Sequence, residues 1–267
     1  MRLAISGYHS FIAKHLIKKL EQLGHTLVLI DRAFLYSLDA LTKLLVKEKP
    51  DYIFHLSACG NMAGQIDKSE IFQANVVNTF NLLMASQAVD YKAFINFSTS
   101  SVLLKHETMY STTKLASEII VSQFSKTISI RPSTVIGVGE QPQHLIPILI
   151  RSCIYGDEMP FIGEPSHDFI AVDDLISGIL KVIENMDKNI RSINISSGKQ
   201  YTNEEVRKIV EKMTNKKANI KYIEGKMREY DTKDWKVDNS KILNLGWQPL
   251  FTLEETIGKM IKAQVWN

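Results

Sequence analysis

Short, wholly apolar runs alternate with amphipathic stretches through the first half of the chain. Leu3-Ala-Ile-Ser6 predicts a buried strand, and Thr26-Leu-Val-Leu-Ile30, Tyr52-Ile-Phe-His-Leu56, Ala93-Phe-Ile-Asn-Phe97 and Ile128-Ser-Ile-Arg131 predict four more. In the stretch from Lys14 to Leu23, Leu16, Ile17, Leu20 and Leu23 fall at i, i+1, i+4 and i+7, one apolar helical stripe closed by Gly24. Further helices are expected over 38–47, where Lys49-Pro-Asp51 ends the element, over 71–86 and over 110–124. Strands that are apolar throughout need cover on both faces, and the strand–helix alternation supplies it. The expectation is an α/β fold: a Rossmann-type doubly wound parallel sheet with a smaller C-terminal substrate-binding lobe.

The last third changes texture. Thr202 and Thr252 are each followed three residues later by a glutamate, Glu205 and Glu255, the pattern of a capping box that opens a helix. The first box leads into Val206, Ile209, Val210 and Met213 on one helical face. Between the boxes lies a more polar stretch, 216–249, read as a small lobe at the carboxyl edge of the sheet, where open α/β folds bind ligands. The pattern assigns 1–138 with 167–198 to the dinucleotide-binding domain and 139–166 with 199–267 to the lobe.

Composition narrows the partners. Of 267 residues 45% are hydrophobic and 23% charged, and the formal net charge is +3 with the basic residues scattered. That distribution speaks against nucleic acid as a partner. Cys59 and Cys153 stand far apart without metal-like spacing, which predicts buried free thiols, a reducing compartment and no metal. No run reaches the roughly 18 apolar residues of a membrane helix. The N-terminus enters a strand directly, so a signal peptide is not expected and a cytoplasmic location is.

Two segments carry candidate chemistry. Gly7-Tyr-His-Ser10-Phe-Ile-Ala13 joins the first strand to the first helix, where a glycine turn and free helix N–H groups suit a pyrophosphate. Asp31, 24 residues after Gly7 at the tip of the second strand, suits the ribose hydroxyls of NAD, whereas its neighbour Arg32 keeps NADP open. The second segment is Tyr110-Ser-Thr-Thr-Lys114, a phenol and an ammonium on one helix face. A nearby ammonium lowers a phenol's pKa and prepares it to exchange a proton with a substrate oxygen. Just upstream, Phe97-Ser-Thr-Ser-Ser-Val102 places hydroxyls after the end of a strand.

With these residues the chain resembles the extended short-chain dehydrogenase/reductases, the NAD-dependent epimerase/dehydratase group, over nearly its full length. Gly7-x-x-Ser10-Phe11-Ile12-Ala13 is similar to that family's Gly-x-x-Gly-Phe-Ile-Gly turn. His55-Leu56-Ser57-Ala58 resembles its His-Leu-Ala-Ala strand end beside the cofactor, and Asn75-Val-Val-Asn-Thr79 its Asn-Val-x-Gly-Thr. Thr99, three before Val102, stands at the catalytic Ser/Thr place, and Tyr110 and Lys114, with Glu118 following, match the Tyr-x-x-x-Lys pair. The segments from Ile130 to Gly137, from His167 to Asp174, and from Val237 through Leu245-Gly-Trp-Gln-Pro249 resemble further family signatures, the last characteristic of the sugar-nucleotide branch. The resemblance implies catalysis by Thr99, Tyr110 and Lys114. It implies a nicotinamide cofactor on Gly7, Ser10, Phe11, Ile12, Asp31, Arg32, Leu56, Ser57, Ala58, Asn75, Tyr110 and Lys114. It also implies a nucleoside-diphosphate sugar on Ser100, Thr134, His167 and Arg228, and is compatible with a homodimer.

The departures direct the choice of reaction. Ser100 and Ser101 replace the Asp-Glu pair of 4,6-dehydratases, and no cysteine lies near Thr99 as in the combined epimerase-reductases. Hydride chemistry at C4 remains, by a 4-ketoreductase or a 4-epimerase. The stretch between Asp31 and Tyr52 is short, and only 11 residues separate Thr99 from Tyr110. Both trims suggest a looser grip on the cofactor and favour the reductase, which must exchange it every turn. Thr134, Ile136 and His167 replace family substrate residues, so the sugar and base are not transferable from relatives, and an inert NAD-binding sensor or scaffold stands as a third reading.

Overall fold

The computed structural model describes residues 1–62, 64–104, 108–186, 190–225 and 231–263. The chain opens with β1 (Arg2–Ser6), α1 (Phe11–Gln22), β2 (Thr26–Ile30), α2 (Leu38–Glu48) and β3 (Tyr52–His55). Next come α3 (Lys68–Phe72), a π-helical turn (Gln73–Val77), α4 (Asn78–Ser86), β4 (Ala93–Phe97), α5 (Met109–Val121), β5 (Thr127–Pro132) and β6 (Thr134–Ile136). Then follow α6 (Leu145–Tyr155), β7 (Met159–Phe161), β8 (Ser166–Ala171), α7 (Val172–Ile183) and β9 (Ser192–Ile195). The chain closes with β10 (Gln200–Thr202), α8 (Asn203–Thr214), β11 (Ile220–Tyr222), α9 (Ser240–Leu243) and α10 (Leu253–Ala263).

Two compact units result, residues 1–131 with 179–193 and residues 132–178 with 194–267. This boundary differs from the one read off the sequence. β8 pairs with β6 in parallel and with β10 antiparallel in a small sheet of their own, which draws both segments into the second unit.

The main sheet has the order β2-β1-β3-β4-β5-β9, and β1 to β5 pair in parallel throughout. The chain leaves β1 for β2 on one side and builds β3, β4 and β5 on the other, so the order reverses between β1 and β3, the place where open α/β sheets bind ligands. Compared with the 3-2-1-4-5-6 Rossmann order, the sheet has no strand outside β2 among the described residues. The short stretch between Asp31 and Tyr52 forms only a 3-10 turn (Arg32–Tyr36) and α2. β2 is therefore an edge strand, with Leu29 47% exposed. Leu35, Leu41 and Leu45 from this stretch join Ile30, Ile53, Leu82 and Phe94 in one buried cluster.

The sequence pattern located most elements within a few residues, with two instructive differences. The helix expected over 71–86 is broken by the π turn, a rare geometry often found at functional positions. α1 starts at Phe11, earlier than its apolar stripe indicated, because Ser10 caps it. The second unit has a separate core in which Val206 and Val210 of α8 pack with Ile146, Leu149, Phe169 and Ile257. Met213, expected on that face, is exposed. Both capping boxes form reciprocally, Thr202 with Glu205 and Thr252 with Glu255. Cys59 and Cys153 are buried free thiols, and no helix among the described residues is long and apolar enough to cross a membrane.

Candidate active site

The first unit holds both chemical segments. Gly7 leaves β1 with φ of +71°. A Cβ there would stand 2.5 Å from the Ser57 nitrogen and 2.6 Å from the Leu56 carbonyl carbon, so glycine alone lets this turn pass the chain leaving β3. Ser10 returns its N–H to the Gly7 carbonyl at 3.0 Å, and its Oγ accepts from the Ala13 nitrogen at 3.3 Å. The serine in the family's second glycine place is thus the N-cap of α1. Phe11 is buried and Ile12 half-buried in the first turn, while Leu56, Ser57 and Ala58 run from buried to exposed along the loop after β3.

Asp31 caps the 3-10 turn that follows β2. Its Oδ1 accepts from the Ala33 nitrogen at 2.9 Å, and its Oδ2 accepts from the Tyr8 hydroxyl at 3.4 Å. Arg32 is turned to Glu70 at 2.7 Å, and its Nε donates to the Tyr36 hydroxyl at 3.3 Å.

Helix α5, which carries Tyr110 and Lys114, is fixed at its start by a capping box in which Thr108 and Ser111 satisfy each other's backbone N–H groups. That box holds Tyr110 one turn from Lys114 on the same face. Lys114 is 2% exposed; its carbonyl accepts from the Ser117 hydroxyl at 2.8 Å, and its ammonium makes no hydrogen bond to any described residue. Burial pulls its ammonium down to about 8, with Glu118 one turn further on pulling weakly the other way. Glu118 does little for it because Arg131 of β5 grips that carboxylate through Nε at 2.9 and 3.0 Å.

Thr99 leaves β4 in extended conformation. Its hydroxyl accepts from the Ser101 nitrogen at 3.2 Å, donates to the Ser101 hydroxyl at 3.1 Å and caps the turn Ser100–Leu103. That turn packs against α5, which brings the hydroxyl segment and the Tyr110 helix together. Ser100 is buried, and the buried Ser98 Oγ has no hydrogen-bond partner among the described residues.

A network that the sequence did not disclose ties these parts together. His55 at the end of β3 faces Ser6 of β1 in register, and its Nδ1 lies 2.6 Å from the Ser6 hydroxyl. Its Nε2 lies 2.9 Å from the Thr79 hydroxyl, which itself donates to the Asn75 carbonyl at 2.7 Å. The Thr79 proton being committed, His55 must donate from Nε2 and accept at Nδ1. This is a neutral imidazole, and burial with the nearby Lys114 charge pushes its pKa to about 3.

The sequence placed Asn75 among the cofactor contacts; in the structure its side chain is fully buried and hydrogen-bonded within the protein. Its Oδ1 accepts from the Cys59 nitrogen at 2.9 Å, and its Nδ2 donates to the Cys59 carbonyl at 2.8 Å and to the Thr113 hydroxyl at 2.9 Å. It clamps the loop after β3 to the helix that carries Tyr110 and Lys114. The one signal for this in the sequence is Thr113, three residues beyond Tyr110 on α5.

In the second unit Thr134 is half-buried on β6. His167 is only 4% exposed, its ring 4.8 Å from that of Trp235 and 5.6 Å from that of Phe169. Arg228 lies outside the described residues. The branch signature around Trp247 proves to be packing. Trp247 Nε1 donates to the Ser177 hydroxyl at 2.8 Å, and Asp174 accepts from the Leu250 and Phe251 nitrogens at 3.0 Å each. A Cβ on Gly178 would come within 3.3 Å of the Trp247 ring.

The model of the NAD dependent epimerase/dehydratase family matches residues 3–196. The chain belongs to that family. The CDP-abequose synthase of Salmonella muenchen is 24% identical, over 98% of both chains. The GDP-6-deoxy-D-talose 4-dehydrogenase of Aggregatibacter actinomycetemcomitans is 26% identical over 92% of this chain and 91% of its own. Among solved structures, MoeE5 in complex with UDP-glucuronic acid and NAD superposes with a TM-score of 0.89 at 23% identity, covering 98% of each chain, a likeness in fold. The residues of the first unit fit the family's cofactor. The Gly7 turn tolerates no side chain, Asp31 stands at the strand tip, and Lys114 is a buried ammonium without a hydrogen bond among the described residues.

Proposed function

We propose that the protein transfers hydride between a bound nicotinamide cofactor and C4 of a nucleoside-diphosphate sugar, as a 4-ketoreductase. The observation that carries this reading is Lys114, buried one helical turn from Tyr110, with an ammonium hydrogen-bonded to none of the described residues. A buried ammonium without partners is costly, and ribose hydroxyls of a cofactor would supply them. NADH, when bound, supplies the hydride. Tyr110 supplies the proton to the C4 oxygen, its phenolate favoured by the Lys114 charge and then reprotonated from solvent. Thr99 orients the same oxygen. The sugar nucleotide is held through Ser100, Thr134, His167 and Arg228, of which Thr134 is the most accessible of those described. The name of the 4-dehydrogenase relative, which specifies the same position on a nucleotide sugar, supports this choice.

A 4-epimerase is the second reading, favoured by the family's own name. We further propose a cytoplasmic homodimer. α4 and α5 expose Phe80, Met84, Leu115 and Ile119, and none of residues 71–89 is charged. Incubation with NADH and nucleoside-diphosphate 4-keto sugars separates the readings. A reductase consumes one NADH per alcohol formed, and an epimerase inverts a 4-hydroxy sugar with no net consumption. NADH binding without turnover on either substrate class would leave a sensor or scaffold and overturn the proposal.

A further inference from the structure

Arg32 is the cation placed to accept a 2′-phosphate beside Asp31, yet the structure shows it already engaged. Its Nη2 meets Glu70 Oε1 at 2.7 Å and its Nε meets the Tyr36 hydroxyl at 3.3 Å. Nε and Nη2 form one edge of the guanidinium fork, the arrangement that takes a phosphate bidentately. Glu70 comes from the first turn of α3, an element remote in sequence from β2, and α3 is set by Asp67, whose side chain caps it. Tyr8, from the glycine turn, reaches Asp31 Oδ2 on the other side.

We propose that Glu70 is a specificity-determining residue for the cofactor. By occupying Arg32 it withholds that guanidinium from the dianionic 2′-phosphate of NADP(H), leaving the Asp31 carboxylate to select the unphosphorylated ribose. The inference rests on the reading that the Gly7 turn and Asp31 hold the adenosine half of a nicotinamide dinucleotide. The Arg32 and Glu70 side chains are 57% and 48% exposed. An ion pair of that exposure is weak, so Glu70 acts as a bias that substitution can lift and not as a barrier.

The test is a set of dissociation constants for NADH and NADPH at low salt, with wild type, E70Q, R32A and R32A/E70Q, each checked for an unchanged melting temperature. E70Q keeps the shape and removes the competing charge. It should tighten NADPH by about two- to five-fold, the range of an exposed ion pair, with NADH nearly unmoved. The gain should vanish in the R32A background and shrink as salt rises. If wild type binds NADH but E70Q leaves the ratio of the two constants unchanged, or the gain persists without Arg32, the role of Glu70 is overturned. If wild type binds neither nucleotide, the cofactor reading beneath it fails first.

Discussion

Both units bury charged groups that belong to family signatures, but the two treat them in opposite ways. In the second unit the buried Asp168 accepts from Ser133, from the Ser197 nitrogen and hydroxyl, and from the Gly198 nitrogen, while Asp174 takes two backbone N–H groups. Burial raises both carboxyls, and these bonds pull them back toward the ionised form. In the first unit Lys114 is as deeply buried and has no such compensation among the described residues. A satisfied buried charge holds a fold together, whereas one without hydrogen bonds from the protein calls for another partner, such as water, an ion or a ligand. Recurrence of a motif in a family does not separate these cases, but hydrogen-bond accounting does.

The largest effect should come from Tyr110. Tyr110→Phe keeps the ring and its packing and removes only the proton donor, so turnover should fall by at least about 10²–10⁴-fold. NADH affinity and melting temperature should stay near wild type. Retention of more than about a tenth of the rate would remove Tyr110 from the chemistry.

Lys114 sharpens the comparison through pH. Its pKa in the fold lies below the ordinary lysine value, so the unfolded chain binds the proton more tightly between about 8 and the ordinary value near 10.5. The unliganded protein should therefore gain stability as pH rises through that window. Cofactor affinity should move the other way, weakening up to about tenfold per pH unit above pH 8 as the ammonium that holds it is lost. Calorimetry and NADH titration from pH 7 to 10 read both slopes, and Lys114→Met should flatten both. Parallel slopes in wild type would mean that Lys114 does not touch the cofactor.

Arg228→Ala should weaken sugar-nucleotide binding by roughly 1.5–3 kcal/mol through a lost charge-assisted contact, with NADH affinity unmoved. Equal losses for both ligands would contradict its assignment to the substrate. The smallest effect belongs to the second unit's satisfied groups. Trp247→Phe removes the bond to Ser177 and should cost about 0.5–1.5 kcal/mol of unfolding free energy, with both ligand affinities and turnover unchanged. A selective loss of substrate affinity would make the signature a binding element after all.

The strands and most helices were legible because apolar periodicity reports burial directly. The placement of Gly7 and Asp31 at strand tips and of Tyr110 and Lys114 on one helix face was legible from their spacing. The π turn was not, since Gln73–Val77 continues the helical pattern of its neighbours. The role of Asn75 was hidden for a related reason. Its partners Cys59 and Thr113 are 16 and 38 residues away, and a buried amide reads in sequence like one offered to a ligand. Glu70 stands 38 residues from Arg32, and nothing local relates them.

The central claim, hydride transfer to C4 of a nucleotide sugar, is tested most directly with 4-deuterated NADH of defined configuration and a nucleoside-diphosphate 4-keto sugar. The account predicts that the alcohol product carries one deuterium on C4 for each NADH oxidised from the deuterated face. Product with no deuterium at C4 from either the 4R- or the 4S-deuterated NADH, or oxidation of NADH without sugar reduction, would contradict it.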